Sequence, residues 1–227
     1  MSTSRVAVII PFHGTAPYLD EAIGSVLAQT YEDYELVLVD DRAIVDDGVE
    51  ARYAGVARVL RTGGTGSPGP PRNLGVAKTR TDLVAFLDSD DLWHPTKLAH
   101  QVAALDDDRD ADIALTLTEE FLSPEIPAGA APVHVRSGAM PGHGSSGLVV
   151  RRPALERVGP FDAIPTAEWA EWYVRSIEAC LRVTMVPEVL WSRRVHGLNN
   201  SFVQRTHEQG QYLRVLKESL DRRRAAG

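Results

Sequence analysis

One cysteine in 227 residues leaves no internal disulfide to form, so nothing here requires an oxidising compartment. That residue, Cys180, is expected to be a small core side chain rather than a nucleophile. Long apolar runs are also missing. No uninterrupted stretch approaches the roughly 20 residues that a membrane-spanning helix needs. The N-terminus lacks the charged-then-apolar pattern of a leader, and the expectation is a soluble, cytoplasmic protein. Positive charge is in deficit: 24 Lys and Arg against 31 Asp and Glu give a net charge of −7. A phosphate-neutralising surface needs the opposite balance, which argues against nucleic acid as a partner. The one basic run, Arg222 to Arg224, reads as the solvated end of a helix.

What is present is an ordinary globular composition, 44% hydrophobic and 24% charged, long enough to bury a sizeable core. "VAVII" (6–10) is a continuous β-branched run closed by Pro11, which suits a strand buried on both faces. From Pro17 to about Gln29 the apolar positions Leu19, Ala22, Ile23, Val26 and Leu27 recur at helical spacing. Further strands are expected at 34–41, 57–60, 82–91 and 113–118, with a helix from about Pro95 to Asp107. Residues 123–144 are rich in Pro, Gly and Ala and read as a long loop. A helix over 166–175, a strand near 182–186 and a last helix from about Thr206 complete the chain. With no repeat and no linker, a single domain over 1–227 is expected, with halves at about 1–118 and 119–227.

Strands alternating with helices imply crossovers and a mostly parallel sheet. Such sheets bind ligands beyond the carboxyl ends of their strands. Asp40, Asp41, Asp88, Asp90 and Asp91 all fall at such ends. In "DSDD" (88–91) the crowded carboxylates repel one another unless solvent screens them or a cation neutralises them. Mg²⁺ and Mn²⁺ take oxygen ligands and often bridge substrate phosphates; the alternative is a solvated turn that caps a helix. "GTGSPG" (64–69) has the spacing G-x-G-x-x-G. A dinucleotide-binding oxidoreductase needs that pattern directly after the first strand, and here it comes some fifty residues later. A flexible loop is the preferred reading.

Three segments, "VAVIIPFHGTAPYLDEAIGSVLAQTYEDYELVLVDD", "RNLGVAKTRTDLVAFLDSDDLWHPTKL" and "VGPFD…VPEVLWSRRVHG", together resemble the family 2 glycosyltransferases. The resemblance runs from about residue 5 to residue 201 and is looser in its second half. It implies the GT-A fold, a Rossmann-like central sheet flanked by helices with a C-terminal acceptor-side portion. It also implies transfer of a sugar from a nucleotide-sugar donor, usually of the UDP type, with inversion. The acceptor, whether saccharide, lipid-linked or small molecule, is not specified. Carried over residue by residue, Pro11 lines the nucleotide pocket and Asp41 accepts from the donor's base. Arg72 lies near the nucleotide or its phosphates. Asp88 and Asp90 match the family's D-x-D element, Asp90 on the metal (Mn²⁺ or Mg²⁺) and Asp88 nearer the ribose. His196 falls where the family approaches the metal or diphosphate.

One position departs from the pattern. In the family a segment resembling E-D-W-D-L-W-L-R follows G-x-F-D, and its first Asp is the expected base. Aligned on Arg175, "EWAEWYVR" (168–175) puts Trp169 there. Three accounts stand: Glu168 serves as base, Glu171 serves, or the chemistry is altered and the chain is a GT-A binding module with Trp169 as a stacking floor. Glu171 also stands one turn from Arg175, the spacing of an ordinary ion pair. A second departure is Arg42, which follows the two Asp where the family has a small residue.

Overall fold

The computed structural model describes residues 4–43, 48–126, 135–196 and 205–226. One nine-stranded sheet organises it, in the order β3-β2-β1-β4-β8-β6-β9-β5, with β7 paired to β6 off that path. The strands are β1 (Val6–Phe12), β2 (Tyr34–Asp40), β3 (Arg58–Arg61), β4 (Leu83–Phe86), β5 (Leu92–Trp93), β6 (Ile113–Leu122), β7 (Met140–Pro141), β8 (Val149–Arg151) and β9 (Val183–Val195). The helices are α1 (Leu19–Leu27), α2 (Val49–Arg52), α3 (Gly69–Ala77), α4 (Lys97–Asp107), α5 (Arg152–Val158), α6 (Glu168–Glu178) and α7 (Arg205–Ala226).

The continuous apolar runs form the buried centre. Every residue of β1 and β4 is buried, as strands covered by helices on both faces require. Pro11 pairs with Val39 near the end of β1, where the amide it lacks is least missed. Helix α1 turns Leu19, Ala22, Ile23 and Val26 toward the sheet. Burying each of its larger apolar side chains contributes about 1.5–3 kcal/mol. Two apolar clusters form, Ile10, Leu38 and Leu98 belonging to one and Ile9, Phe86 and Trp172 to the other.

The sheet is mixed. Strands β3, β2, β1 and β4 run parallel, as expected for the first half. Beyond them β8 is antiparallel to both β4 and β6, and β5 is antiparallel to β9, while β6 and β9 are parallel. By paired length the sheet is mostly parallel, as expected, with short antiparallel pairings in its second half. The reversal begins at β8, three residues that return directly beside β4.

Two local expectations also change. Cys180 is exposed, in a left-handed conformation (φ 54°) just past α6; a turn that leaves the helix cannot carry it into the core. The G-x-G-x-x-G segment ends inside an element, since Gly69 opens α3 against the backbone of Asp162. Of the long loop over 123–144, residues 127–134 lie outside the described residues, and residues 140–141 form β7. The last helix forms as expected, and Ser219 and Arg222 of α7 donate to Glu178 on α6. Among the described residues no helix is long and apolar enough to cross a membrane.

Candidate active site

The carboxylates gather beyond the ends of β2 and β4, each with its own partners. Asp40 is fully buried and held by Arg42, whose Nε and Nη2 each donate at 2.7 Å, and by Arg61 at 3.1 Å. Arg42 thus folds back over the Phe12 ring, 5.2 Å from its centroid. Asp41 is buried under the 62–66 loop. Its Oδ1 accepts from the Thr62 hydroxyl, the Thr65 amide (2.9 Å) and the Thr65 hydroxyl (2.7 Å); its Oδ2 accepts from the Gly66 amide (3.0 Å). Burial works to raise the Asp41 carboxyl, but these donors outweigh it and hold it below its ordinary value. The loop read as flexible is a lid on Asp41.

Arg72 is the hub. It stands on α3, 2% exposed, and its guanidinium donates to Asp88 Oδ1 (2.5 Å), Glu168 Oε1 (2.6 Å) and Ser145 Oγ (3.0 Å). The Phe161 ring lies 5.8 Å from the guanidinium carbon. A buried arginine needs such compensation. Burial raises the Glu168 carboxyl above its ordinary value, and the Arg72 charge offsets only part of that. Glu168 is thereby drawn into the site at the end of β4. Glu171 is not: both its oxygens accept from Arg175 at 2.7 Å, a closed bidentate pair.

Asp90 faces His196 across 2.9 Å, Oδ2 to Nε2. Asp91 turns inward, where its Oδ2 accepts from Ser146 Oγ (2.9 Å) and Trp191 Nε1 (2.8 Å), and its Oδ1 from the Arg194 amide (3.1 Å). Burial first, then the charges of Asp90 and Asp88, push the Asp91 carboxyl well above the usual range. Arg194 is buried between the Tyr18 and Phe121 rings, donating to Glu21 and to the Asp90 carbonyl.

This geometry bears on a divalent ion. Among the described residues no three His, Cys, Asp or Glu side chains converge on one point: Asp88 leans to Arg72, whereas Asp90 and His196 face each other. Asp90 and His196 offer one oxygen and one nitrogen, a partial donor set of the kind that Mg²⁺ or Mn²⁺ completes with substrate phosphates and water. A cation there would relieve the part of the Asp91 shift that comes from the charges of Asp90 and Asp88, though not the larger part that comes from burial.

Sequence reading missed Ser145, Ser146 and Arg194. The serines sit in the glycine-rich turn 142–147, where nothing in the pattern marks them. Arg194 adjoins His196 in a strand that reads as mixed. The aromatic residues of α6 form a continuous stack instead of a plain stripe. Phe161 lies on Trp172, Trp172 on Trp169 and Trp169 on Tyr173, with centroids 5.2–5.7 Å apart and planes within 26°. Tyr173 then meets the His143 ring at 5.7 Å.

A parallel sheet half ending in carboxylates, closed by a reversing strand and an acidic helix, is the architecture of the GT-A glycosyltransferases. The family model for glycosyl transferase family 2 matches residues 7–125, just over half of the chain, and the chain belongs to that family. An uncharacterised glycosyltransferase of Nostoc sp., alr2836, is 31% identical over 218 residues, covering 86% of this chain and 66% of that protein. The chain thus spans about two thirds of that relative's length. The structure of residues 1–349 of TarS from S. aureus in complex with UDP aligns with a TM-score of 0.67 at 19% identity, covering 85% of this chain and 61% of that one. The mannosyltransferase PcManGT from Pyrobaculum calidifontis, in complex with GDP-Man and Mn²⁺, aligns with a TM-score of 0.63 at 19% identity, covering 85% and 57%.

Proposed function

We propose that this chain transfers a sugar from a nucleotide-sugar donor of the UDP type to an acceptor hydroxyl, in the cytoplasm, with a divalent ion and with inversion. The observation that carries this reading is the charge chain at the end of β4, where Arg72 ties Asp88 to Glu168 beside the Asp90–His196 pair. Family membership and the alignment with sugar-nucleotide transferases support it. Pro11 and Phe12, at the end of β1, floor the nucleotide pocket, and Asp41 meets the base. Asp41 Oδ1 is filled by three donors, while Oδ2 accepts one and retains a lone pair. That suits a base with a single N–H on its recognition edge, as uracil has. Guanine presents two.

Asp90 and His196 would hold a Mn²⁺ or Mg²⁺, with Asp88 toward the ribose, and the ion would stabilise charge on the departing diphosphate. Arg72 keeps Asp88 oriented and is itself neutralised. Glu168 anchors Arg72 from the acceptor side, and attack from that side, opposite the diphosphate, inverts the anomeric carbon. The acceptor, whether saccharide, lipid-linked or small molecule, meets α6 and the 142–147 turn. A second reading, a GT-A module that binds nucleotide-sugar without transfer, draws on Trp169, which cannot accept a proton. Competitive calorimetry in Mn²⁺ tests the donor assignment. UDP is expected to bind at least about 10-fold tighter than GDP, a difference of ~1.4 kcal/mol. Equal affinity would remove the role given to Asp41, and no binding of either would remove the donor site.

A further inference from the structure

Transfer needs a base, and the carboxylates of α6 are both employed: Glu168 holds Arg72 and Glu171 is closed on Arg175. We propose that His143 takes the proton from the acceptor hydroxyl. This rests on the transferase reading above.

Four observations place the imidazole. First, His143 is exposed, and its ring makes no hydrogen bond or ion pair among the described residues. It keeps a ring nitrogen for a ligand. Second, it is presented rather than loose. Gly142 and Gly144 on either side are packed so closely on Thr116 and Trp191 that a Cβ would lie 2.4 Å from the Thr116 carbonyl oxygen and 2.5 Å from the Trp191 ring. Trp191 is itself buried and bonded to Asp91, so the turn stands on the carboxylate cluster. Third, the turn reaches the site through Ser145. Gly144 is extended (φ −154°, ψ 161°), which tends to send the side chains before and after it to one face. The residue after it, Ser145, touches both Arg72 and Asp88. Fourth, the His143 ring lies against Tyr173, which also stacks on Trp169. The imidazole therefore stands across one aromatic ring from the position where the family's base is expected. The chain that carries tryptophan there brings a proton acceptor to the same rim from another element.

The step balances as a single displacement. The acceptor O–H bond breaks as its proton passes to the imidazole nitrogen, and the oxygen forms a bond to the anomeric carbon. The bond from that carbon to the diphosphate oxygen breaks, and its electron pair leaves with UDP. The imidazolium then returns its proton to water.

UDP release from a panel of UDP-sugars, in Mn²⁺, tests the assignment with two acceptors: water, which must lose a proton, and azide, which need not. His143→Gln is exposed and leaves the fold intact. It is expected to bind UDP within about 2-fold of the parent by calorimetry, to lose about 100-fold or more in the water reaction, the usual worth of a general base, and to keep the azide reaction within about 3-fold. Full water turnover in His143→Gln, or equal loss with both acceptors, overturns the proposal. So does a Glu168→Gln variant that binds UDP normally and loses only the water reaction. A parent protein that binds no UDP, or releases none from any donor, contradicts the transferase reading itself and is distinct from these results.

Discussion

Arg72 and Lys97 are two fully buried cations whose circumstances are opposite. Arg72 has two carboxylates and a hydroxyl on its terminal nitrogens, while its buried Nε has no partner among the described residues. Lys97 has Gln101 Oε1 at 2.7 Å and the face of Trp93, 4.0 Å from ring centroid to Nζ. Burial holds the Lys97 amine well below its ordinary 10.5. Between that depressed value and 10.5 the unfolded chain binds a proton that the native chain lacks, so this residue makes stability rise with pH. Against Lys97→Met, the parent is expected to gain relative stability from pH 7 toward pH 10.5, by at most ~1.4 kcal/mol per pH unit. Urea unfolding at a series of pH values reads this, and a difference independent of pH would show that Lys97 is charged in the native state. Single residues were legible where chemistry is concentrated at strand ends: Asp41, Asp88 and Asp90 stand there. The hydroxyls that hold them, Thr62 and Thr65 at Asp41 and Ser145 at Asp88, were not, because a hydroxyl acts through distances that spacing does not encode.

At the scale of elements, the 142–147 turn joins the two halves of the site. It packs on Trp191 from β9, passes Ser145 to Arg72 on α3, and leads into β8. Adding a methyl at Gly144, where the Trp191 ring is 2.5 Å from the Cβ position, is expected to cost about 1–3 kcal/mol by overpacking. Gly24 stands in the exposed interior of α1 with open space around it, so Gly24→Ala is expected to stabilise by about 0.5–1 kcal/mol. Denaturant midpoints of the two variants that move in the same direction would contradict this account of the turn. Elements with long apolar runs, β1, β2, β4 and β6, were readable because burial on both faces leaves an unmistakable pattern. The three-residue β8 and the Gly-Pro-Pro opening of α3 carry no comparable period. Their positions are set by what they pack against, which is why the reversal of the sheet went unread.

Across the whole molecule, the acidic balance has a local meaning. Carboxylates concentrate at one edge of the sheet, where cations answer them in part: Arg42 and Arg61 at Asp40, Arg72 at Asp88 and Glu168, Arg194 at Glu21. Asp88 keeps two fifths of its side chain exposed and Asp90 more than a quarter, so both carboxylates reach solvent beside their partners. A divalent ion shared with a nucleoside diphosphate is expected to bind at this exposed edge of the carboxylate cluster. Calorimetric titration of UDP, with and without Mn²⁺, into the parent and into Asp90→Ala is the direct measurement. UDP is expected to bind the parent at least about 10-fold tighter with Mn²⁺ than without, and that gain is expected to vanish in Asp90→Ala. UDP affinity that is indifferent to Mn²⁺, or a gain that survives in Asp90→Ala, would contradict the metal-dependent donor site.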